Sequence, residues 1–159
     1  MYEKTIDILK KIGVNYKEIK HEVIFHDHKA AKVKKIFSLE GIETKTLLLK
    51  TKREDLYAFT TIEAKKLYPS IIKKLLNERI AMASSEEILL YTGCFPGCVA
   101  PFGYAKEISL IVDSEIFQYD KLIFSPGVPM KTVEITTADF SKLLKKIDNK
   151  VMYFFPSRN

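Results

Sequence analysis

The sequence has no tryptophan and only two cysteines and three histidines among its 159 residues. Two cysteines are too few for the disulfide framework of a small secreted domain, and we expect both to be free thiols. No apolar run approaches the ~20 residues that a membrane helix needs, and residues 1–4 lack the apolar core of a signal peptide. We therefore expect a cytoplasmic protein without membrane association.

The residues that are present are typical of a globular protein. Hydrophobic residues make up 47% and aromatic residues 11% of the chain, which is too apolar for a disordered segment. A chain of this length can bury its own core without disulfides. Because it contains no internal repeat and no low-complexity segment, the sequence predicts one domain over residues 1–159.

Positive charge is concentrated in the first half of the chain. Lys and Arg total 26 against 20 Asp and Glu, a net charge of +6. Residues 1–80 hold 18 basic and 11 acidic side chains, a net +7, whereas residues 81–159 hold 8 and 9, a net −1. A surface this basic could bind a polyanion through the release of counterions. A solvated lysine-rich face explains the same counts, so charge alone does not decide between them.

Hydrophobic periodicity and turn residues divide the chain into helices and strands. The predicted helices cover residues 2–12, 27–40, 70–76, 86–91 and 137–146. The predicted strands cover residues 16–25, 46–49, 56–61, 81–83, 108–112, 121–124, 133–136 and 151–155, the last being an edge strand or a docked tail. This order of elements and the short hairpin links favour an α+β fold with a mixed or mainly antiparallel sheet over a doubly wound parallel sheet.

The most unusual segment is residues 92–104. Three of the six glycines, two of the six prolines and both cysteines fall within these thirteen positions. Proline fixes φ and removes an amide donor, while glycine opens conformations that other residues avoid. The composition therefore predicts a loop of defined shape, whose backbone amides could bind an anionic or carbonyl-bearing ligand. A structural turn with a hydrophobic tip is the alternative.

The order of residues in this loop is Gly-x-x-Pro-Gly-x-Val-x-Pro-Phe-Gly, from Gly93 to Gly103. It resembles the signature loop of the YbaK/prolyl-tRNA-synthetase-associated domain family, whose members hydrolyse wrongly charged aminoacyl-tRNAs. Lys-Thr-Leu at 45–47 is similar to a second family motif, and segments 111–113 and 132–135 are similar to the family's closing strands. The resemblance covers about residues 16–145. It implies a curved mixed sheet that approaches a barrel and is flanked by helices.

Lys45 is the predicted catalytic residue. It precedes a predicted buried strand, so its ammonium could emerge at the sheet edge and bind a terminal phosphate or an ester carbonyl. Considered by residue type alone, a solvated lysine is the simpler interpretation. The resemblance implies the functional role, because the family's functional lysine corresponds to Lys45, with the cleft between this strand and the glycine-rich loop. Lys50 is the alternative.

The resemblance also implies that the loop binds the substrate. The predicted contacts are Gly93, Cys94, Phe95, Pro96, Gly97, Cys98, Val99, Phe102 and Gly103. Backbone amides between Gly93 and Cys98 could stabilise an oxyanion, while the terminal ribose hydroxyl or the substrate's own side chain assists the reaction. Phe95 is the candidate for stacking on the terminal adenine, and Phe102 is better suited to anchoring the loop in the core.

Cys98 departs from the family pattern, which commonly has a smaller residue such as Gly or Ser after Pro-Gly. The departure leaves open the size of the pocket and therefore the amino acid that it accepts. Nothing in the sequence would lower the pKa of the Cys98 thiol, so we do not expect a cysteine nucleophile. Both Cys94 and Cys98 are interpreted as small residues that fill the loop.

No conventional catalytic set accompanies the three histidines. His26 and His28, at a strand end, could hold a metal together with Cys94 or Cys98, but such a ligand set is incomplete. Surface histidines explain the pattern. We expect neither a metal nor an organic cofactor.

Together these features predict a trans-acting aminoacyl-tRNA deacylase that clears mischarged tRNA. The candidate substrates are Ala-tRNA(Pro) and Cys-tRNA(Pro), and a prolyl-tRNA synthetase is the candidate protein partner. The alternative is a catalytically silent module that uses the same cleft to bind an RNA end or a synthetase. Lys45 favours the enzyme, although a resemblance in fold does not by itself establish an activity.

Overall fold

The structure is a computed structural model that describes residues 1–22, 33–67 and 69–156. Its helices are α1 (Tyr2–Ile12), α2 (Pro69–Leu76), α3 (Ser85–Thr92) and α4 (Thr137–Leu144), with a 3₁₀ helix at Ser114–Gln118 and a helical turn at 33–36. Its strands are β1 (Tyr16–Lys20), β2 (Ile42–Thr51), β3 (Leu56–Ile62), β4 (Ile80–Met82), β5 (Ser109–Asp113), β6 (Lys121–Phe124), β7 (Lys131–Thr136) and β8 (Val151–Phe154). Within the described ranges, no helix is long and apolar enough to cross a bilayer.

Local signals fix the ends of two predicted helices. At the end of α1, Gly13 adopts a left-handed conformation with a φ of 74°, which glycine reaches without steric cost. At the start of α3, the Ser84 side chain accepts a hydrogen bond from the Glu87 amide, and the Glu87 carboxylate accepts one from the Ser84 amide. This reciprocal capping satisfies two amides that a helix would otherwise leave without partners.

The eight strands form one sheet in the order β1-β7-β6-β2-β3-β5-β8, with β4 added beside β2. The pairs β1·β7, β6·β7, β2·β3 and β2·β4 are antiparallel, whereas β2·β6, β3·β5 and β5·β8 are parallel. The predicted α+β fold with a mixed, mainly antiparallel sheet is therefore confirmed. In the described part of the chain, β1 and β8 lie at the two ends of this order, β4 pairs only with β2, and the sheet does not close. The carboxyl-terminal segment is thus an edge strand and not a docked tail.

Several element boundaries differ from the predictions. The strand predicted at 46–49 extends over 42–51, so Lys45 lies inside it and not before it. The predicted turn after β5 contains a 3₁₀ helix, because the Asp113 carboxylate accepts a hydrogen bond from the Glu115 amide and caps it. The helix predicted to start at Asp27 falls largely on residues outside those described, as does the end of the strand predicted at 16–25.

The largest core cluster joins α1, α4, one face of the sheet and the second half of the glycine-rich loop. Phe102 lies at its centre and is fully buried, with ring centroids 5.5 Å from Phe124 and 6.4 Å from Phe140. Aromatic pairs of this kind contribute about 0.5–1.5 kcal/mol each beyond the burial of apolar area. The loop is therefore fixed to the core at its carboxyl-terminal end.

Candidate active site

A cavity of about 400 Å³ lies between β2 and the glycine-rich loop. Its wall includes residues 43–48 of β2, residues 97–99 of the loop, and parts of the segment 123–132, which runs from the end of β6 to the start of β7. Lys45 and the loop residues Gly97, Cys98 and Val99 therefore line the same cavity.

The cavity lies where β2 lacks a neighbouring strand on one side. Residues 42–43 of β2 pair with β6, and residues 49–51 pair with β4. Between these two pairings, the described strands leave β2 paired only with β3. The Glu63 amide donates to the Glu43 carbonyl at 2.8 Å. Because hydrogen-bonding direction alternates along an antiparallel pair, the backbone groups of Thr44, Thr46 and Leu48 point into the gap.

Two of these three residues have identifiable partners. The Thr44 hydroxyl donates to the Ile123 carbonyl at 2.8 Å, and the Leu48 carbonyl accepts from the Ala83 amide at 2.9 Å. Thr46 is buried and lines the cavity, and by the same alternation its backbone N–H and C=O point away from β3. Buried backbone groups need a partner, so this position suits a ligand or water.

Lys45 is held at the cavity wall by the end of β3. Its ammonium donates to the Glu63 backbone carbonyl at 2.6 Å and lies 4.0 Å from the Glu63 carboxylate. The side chain is 27% exposed. An ammonium has three donors, so the bond to Glu63 fixes its position and leaves protons for a ligand. The alternative residue, Lys50, lies outside the cavity wall and is paired with the Glu87 carboxylate, which raises the pKa of Lys50.

The predicted loop residues occupy three different environments. Gly97, Cys98 and Val99 line the cavity, whereas Phe95 and Pro96 are exposed on the surface. Cys94 and Phe102 are fully buried. At Gly93 and Gly103, the space for a side chain is bordered by Met1 and not by the cavity. Neither Phe102 nor Cys94 has exposed surface, so neither lines the cavity, and the burial of Phe102 is consistent with the alternative in which it anchors the loop.

Most of the loop amides donate hydrogen bonds to other groups of the protein. Gly93 donates to Leu89, Cys94 to the Thr92 hydroxyl, Phe95 to Gly127, and Cys98 to Phe95, each at 2.9–3.0 Å. Pro96 has no amide hydrogen. Among the described residues, the Gly97 amide makes no hydrogen bond. The expected set of oxyanion donors at 93–98 is thereby reduced to Gly97, which has a φ of 81°.

The two cysteines are free and buried. Burial raises the pKa of both thiols, and the hydrogen bonds that they make with Thr92 and Ser125 do not reverse this. A raised pKa keeps a thiol protonated at neutral pH, and the thiol is a far weaker nucleophile than the thiolate. The environment of Cys98 therefore supports its interpretation as a small residue of the cavity wall.

Two cavity residues were not singled out from the sequence. His21 follows β1 and Thr132 lies in β7, and both line the cavity. They are 111 residues apart in the chain, so no local motif joins them. His26 and His28, on which the alternative metal site depended, lie outside the described residues. Within the described ranges, no three His, Cys, Asp or Glu side chains are arranged to hold a metal ion.

The cavity combines an ammonium, a loop amide and the exposed backbone of a sheet gap. These groups donate to oxygen atoms, so the site is suited to bind and polarise the carbonyl group of an acyl-bearing ligand. The fold and the site together define a class of small mixed-sheet domains that have a lysine-lined cavity between the sheet and a glycine-rich loop.

Comparison with known proteins narrows this class to one family. Residues 26–143 match the aminoacyl-tRNA editing domain, and the chain belongs to that family. The resemblance drawn from the loop and the Lys-Thr-Leu segment is thus confirmed. Editing domains hydrolyse the ester that joins an amino acid to its tRNA, so the prediction of an aminoacyl-tRNA deacylase is confirmed at the level of enzyme class.

The individual relatives share a low sequence identity with this chain. The multifunctional Ser/Thr-tRNA deacylase ProXp-y of Escherichia coli (strain K12) is 22% identical over 147 residues, which cover 89% of this chain and 87% of that protein. A candidate trans-editing enzyme for prolyl-tRNA synthetase has a TM-score of 0.78 at 18% identity, covering 98% of this chain and 97% of the other. Hypothetical protein APE2540 has a TM-score of 0.77 at 19% identity, covering 93% and 96%. At these identities the structural neighbours establish the fold alone.

Proposed function

We propose that this protein is a trans-acting deacylase that binds the aminoacyl-adenosine end of mischarged tRNA in the cavity between β2 and the glycine-rich loop. The observation that carries the proposal is that Lys45 and Gly97 line one cavity. In this proposal, the Lys45 ammonium and the Gly97 amide bind the same carbonyl oxygen. A deacylase must stabilise that oxygen as it becomes an oxyanion.

In the proposed reaction, Lys45 and the Gly97 amide donate to the oxygen of the ester carbonyl. The bond from Lys45 to the Glu63 carbonyl holds the ammonium in place before the substrate arrives. Because the donors are fixed in advance, no reorganisation is needed when charge develops on the oxygen. Loss of one such donor typically costs about 10²–10³-fold in rate.

The size and polarity of the cavity favour a small amino acid. A volume of about 400 Å³ is near the lower end of the ~300–1,000 Å³ of ligand pockets, and the terminal ribose shares this space. In this proposal, the backbone carbonyl of Thr46 accepts a hydrogen bond from the amino group of the amino acid. The name of the Escherichia coli relative adds serine and threonine to the predicted alanine and cysteine.

The charge of the chain and one exposed aromatic residue of the loop suit a single-stranded RNA end. The excess of positive charge in residues 1–80 favours contact with phosphates. Phe95 is 50% exposed at the tip of the loop that lines the cavity. In this proposal, Phe95 stacks on an unpaired base of the tRNA end, which does not require a particular base.

The activity is tested with a panel of mischarged tRNAs. Purified protein is incubated with Ala-tRNA(Pro), Cys-tRNA(Pro), Ser-tRNA and Thr-tRNA, and ester loss is compared with the rate without protein. We expect hydrolysis of at least one small-residue substrate. Tight tRNA binding without cleavage of any ester would identify a silent binding module instead, and would overturn the enzyme assignment for this chain.

The role of Lys45 is tested by removing its ammonium. We expect Lys45→Ala to lower kcat/KM on the best substrate by about 10²–10³-fold, since one preorganised donor is lost. Lys73→Ala is the matched control, because Lys73 is an exposed lysine of α2 that lies outside the cavity wall. Equal rates for the two variants, with both proteins folded by circular dichroism, would remove Lys45 from the site.

A further inference from the structure

His21 and Thr132 form a hydrogen-bonded pair in the cavity wall. The imidazole Nε2 of His21 lies 2.8 Å from the Thr132 hydroxyl, and its Nδ1 lies 2.7 Å from the Glu22 backbone carbonyl. The His21 amide also donates to the Met130 carbonyl at 3.0 Å, which continues the pairing of β1 with β7 by one residue. The pair is therefore held by two adjacent strands.

The partners of the ring determine which nitrogen carries the proton. A backbone carbonyl only accepts hydrogen bonds, so Nδ1 of His21 must be the protonated nitrogen that donates to Glu22. In the neutral ring, Nε2 then has a lone pair, and the Thr132 hydroxyl must donate to it. The Glu22 carbonyl thus orients the His21 ring, and the Thr132 hydroxyl can give its proton to Nε2.

Charged side chains surround the imidazole on several elements. In the chain it follows Lys20 and precedes Glu22, and Lys131 of β7 faces Lys20 across the strand pair. Lys131 is engaged by the Glu18 carboxylate and the Tyr2 hydroxyl. The other charged residues of the cavity wall are Lys34, Glu43, Lys45 and Glu63.

We infer that Thr132 and His21 are the proton-accepting group of this cavity, an inference that rests on the proposed deacylase function. A water molecule attacks the ester carbonyl carbon and gives one proton to Thr132 Oγ1, while the Thr132 proton passes to Nε2 of His21. The carbonyl π electrons move to the oxygen, where Lys45 and Gly97 stabilise the charge.

The second half of the reaction returns the proton. The oxyanion electrons re-form the carbonyl, and the bond to the ribose oxygen breaks. The proton on His21 passes through Thr132 to that oxygen. The products are the free amino acid and a tRNA with its terminal hydroxyl, and both protein side chains regain their starting forms. Thr132 is the group that contacts the reacting atoms, and His21 acts through it.

The inference is tested by replacing the hydroxyl and the base separately. Thr132→Val removes the hydroxyl and keeps the β-branched shape, Thr132→Ser keeps the hydroxyl, and His21→Gln removes the titrating group. We expect Thr132→Val and His21→Gln to lower kcat about 10²-fold or more with KM nearly unchanged, since general base catalysis is typically worth 10²–10⁴-fold. Thr132→Ser should stay within a few-fold of the wild type.

The pH profile separates proton transfer from a structural role. The protonated form of an imidazole has no lone pair and cannot accept another proton. The wild-type rate, divided by the spontaneous rate, should therefore fall towards acid pH, and this fall should disappear in Thr132→Val and His21→Gln. Unchanged profiles in both variants would overturn the inference, as would a trapped acyl ester on Thr132, which would make Thr132 the nucleophile. If the wild type hydrolyses none of the panel, the proposed function fails first.

Discussion

The substitution Asp113→Asn tests how the fold supports Lys45. Asp113 is fully buried at the end of β5. One carboxylate oxygen accepts from the Thr61 hydroxyl at 2.7 Å and from the Lys65 ammonium at 2.6 Å, while the other accepts from the Glu115 amide at 3.0 Å. Thr61 and Lys65 flank the turn that carries Glu63, whose carbonyl holds Lys45. Asp113 therefore fixes this turn from below the cavity.

The expected loss of stability follows from these contacts. Asparagine keeps the shape of the side chain but has one oxygen instead of two, so at least one of the three donors loses its acceptor. Hydrogen bonds to charged groups contribute about 1.5–3 kcal/mol each, and breaking a buried ion pair costs about 3–5 kcal/mol. Lys65 is 29% exposed and keeps its bond to the Glu115 carboxylate at 2.7 Å, which favours the low end. We expect a loss of about 3 kcal/mol.

Thermal unfolding followed by circular dichroism measures this loss. For a protein of this size, 1 kcal/mol changes Tm by about 2–4 °C, so Tm should fall by about 6–12 °C. Glu115→Gln is the control, because its carboxylate is partly exposed and such pairs are worth about 1 kcal/mol or less. The double variant Asp113→Asn/Lys65→Met should lose less than the sum of the single losses. A Tm within about 2 °C of the wild type for Asp113→Asn would refute the reasoning.

Two further predictions concern the loop. Burial raises the pKa of Cys98, so its thiol should react slowly with iodoacetamide. In Cys94→Ser protein at pH 8, we expect alkylation to be far slower in the folded state than in urea, and the folded rate to rise only as pH exceeds the ordinary thiol range. Equal rates at pH 8 would contradict this prediction. Because the Phe102 ring is fully buried, Phe102→Ala should lower the free energy of unfolding, measured by urea titration, by about 3–5 kcal/mol. Phe95 is exposed, so Phe95→Ala should lower it by less than about 1 kcal/mol. Similar losses for the two variants would show that Phe102 does not anchor the loop.

Local sequence signals were sufficient for most of the secondary structure. Gly13 ends α1 and Ser84 caps α3 through bonds that reach only a few residues along the chain. The hairpin between β2 and β3 follows from four polar residues between two apolar runs, because a short link can only join adjacent antiparallel strands. These features depend on neighbouring residues, so the sequence alone determines them.

The length of β2 depended on the tertiary structure. Its apolar part, 46–49, was visible, but the polar residues 43–45 that precede it gave no strand signal. They are extended because β3 pairs with them from 44 onward and β6 pairs with 42–43. Polar side chains are tolerated there because they line the cavity. The prediction that Lys45 precedes the strand was therefore wrong, because Lys45 lies inside β2. Its position in the cavity wall depends on strands that are distant in sequence.

The candidate site, like the fold, could be predicted from the sequence only in part. The residue order of the glycine-rich loop and the Lys-Thr-Leu segment was enough to indicate the family, because that pattern is carried by consecutive residues. The sequence did not reveal that four loop amides are consumed by internal hydrogen bonds, or that His21 meets Thr132 across 111 residues. Strand pairing brings these groups together. Which strands pair depends on the packing of the whole sheet, and no short stretch of the sequence specifies it.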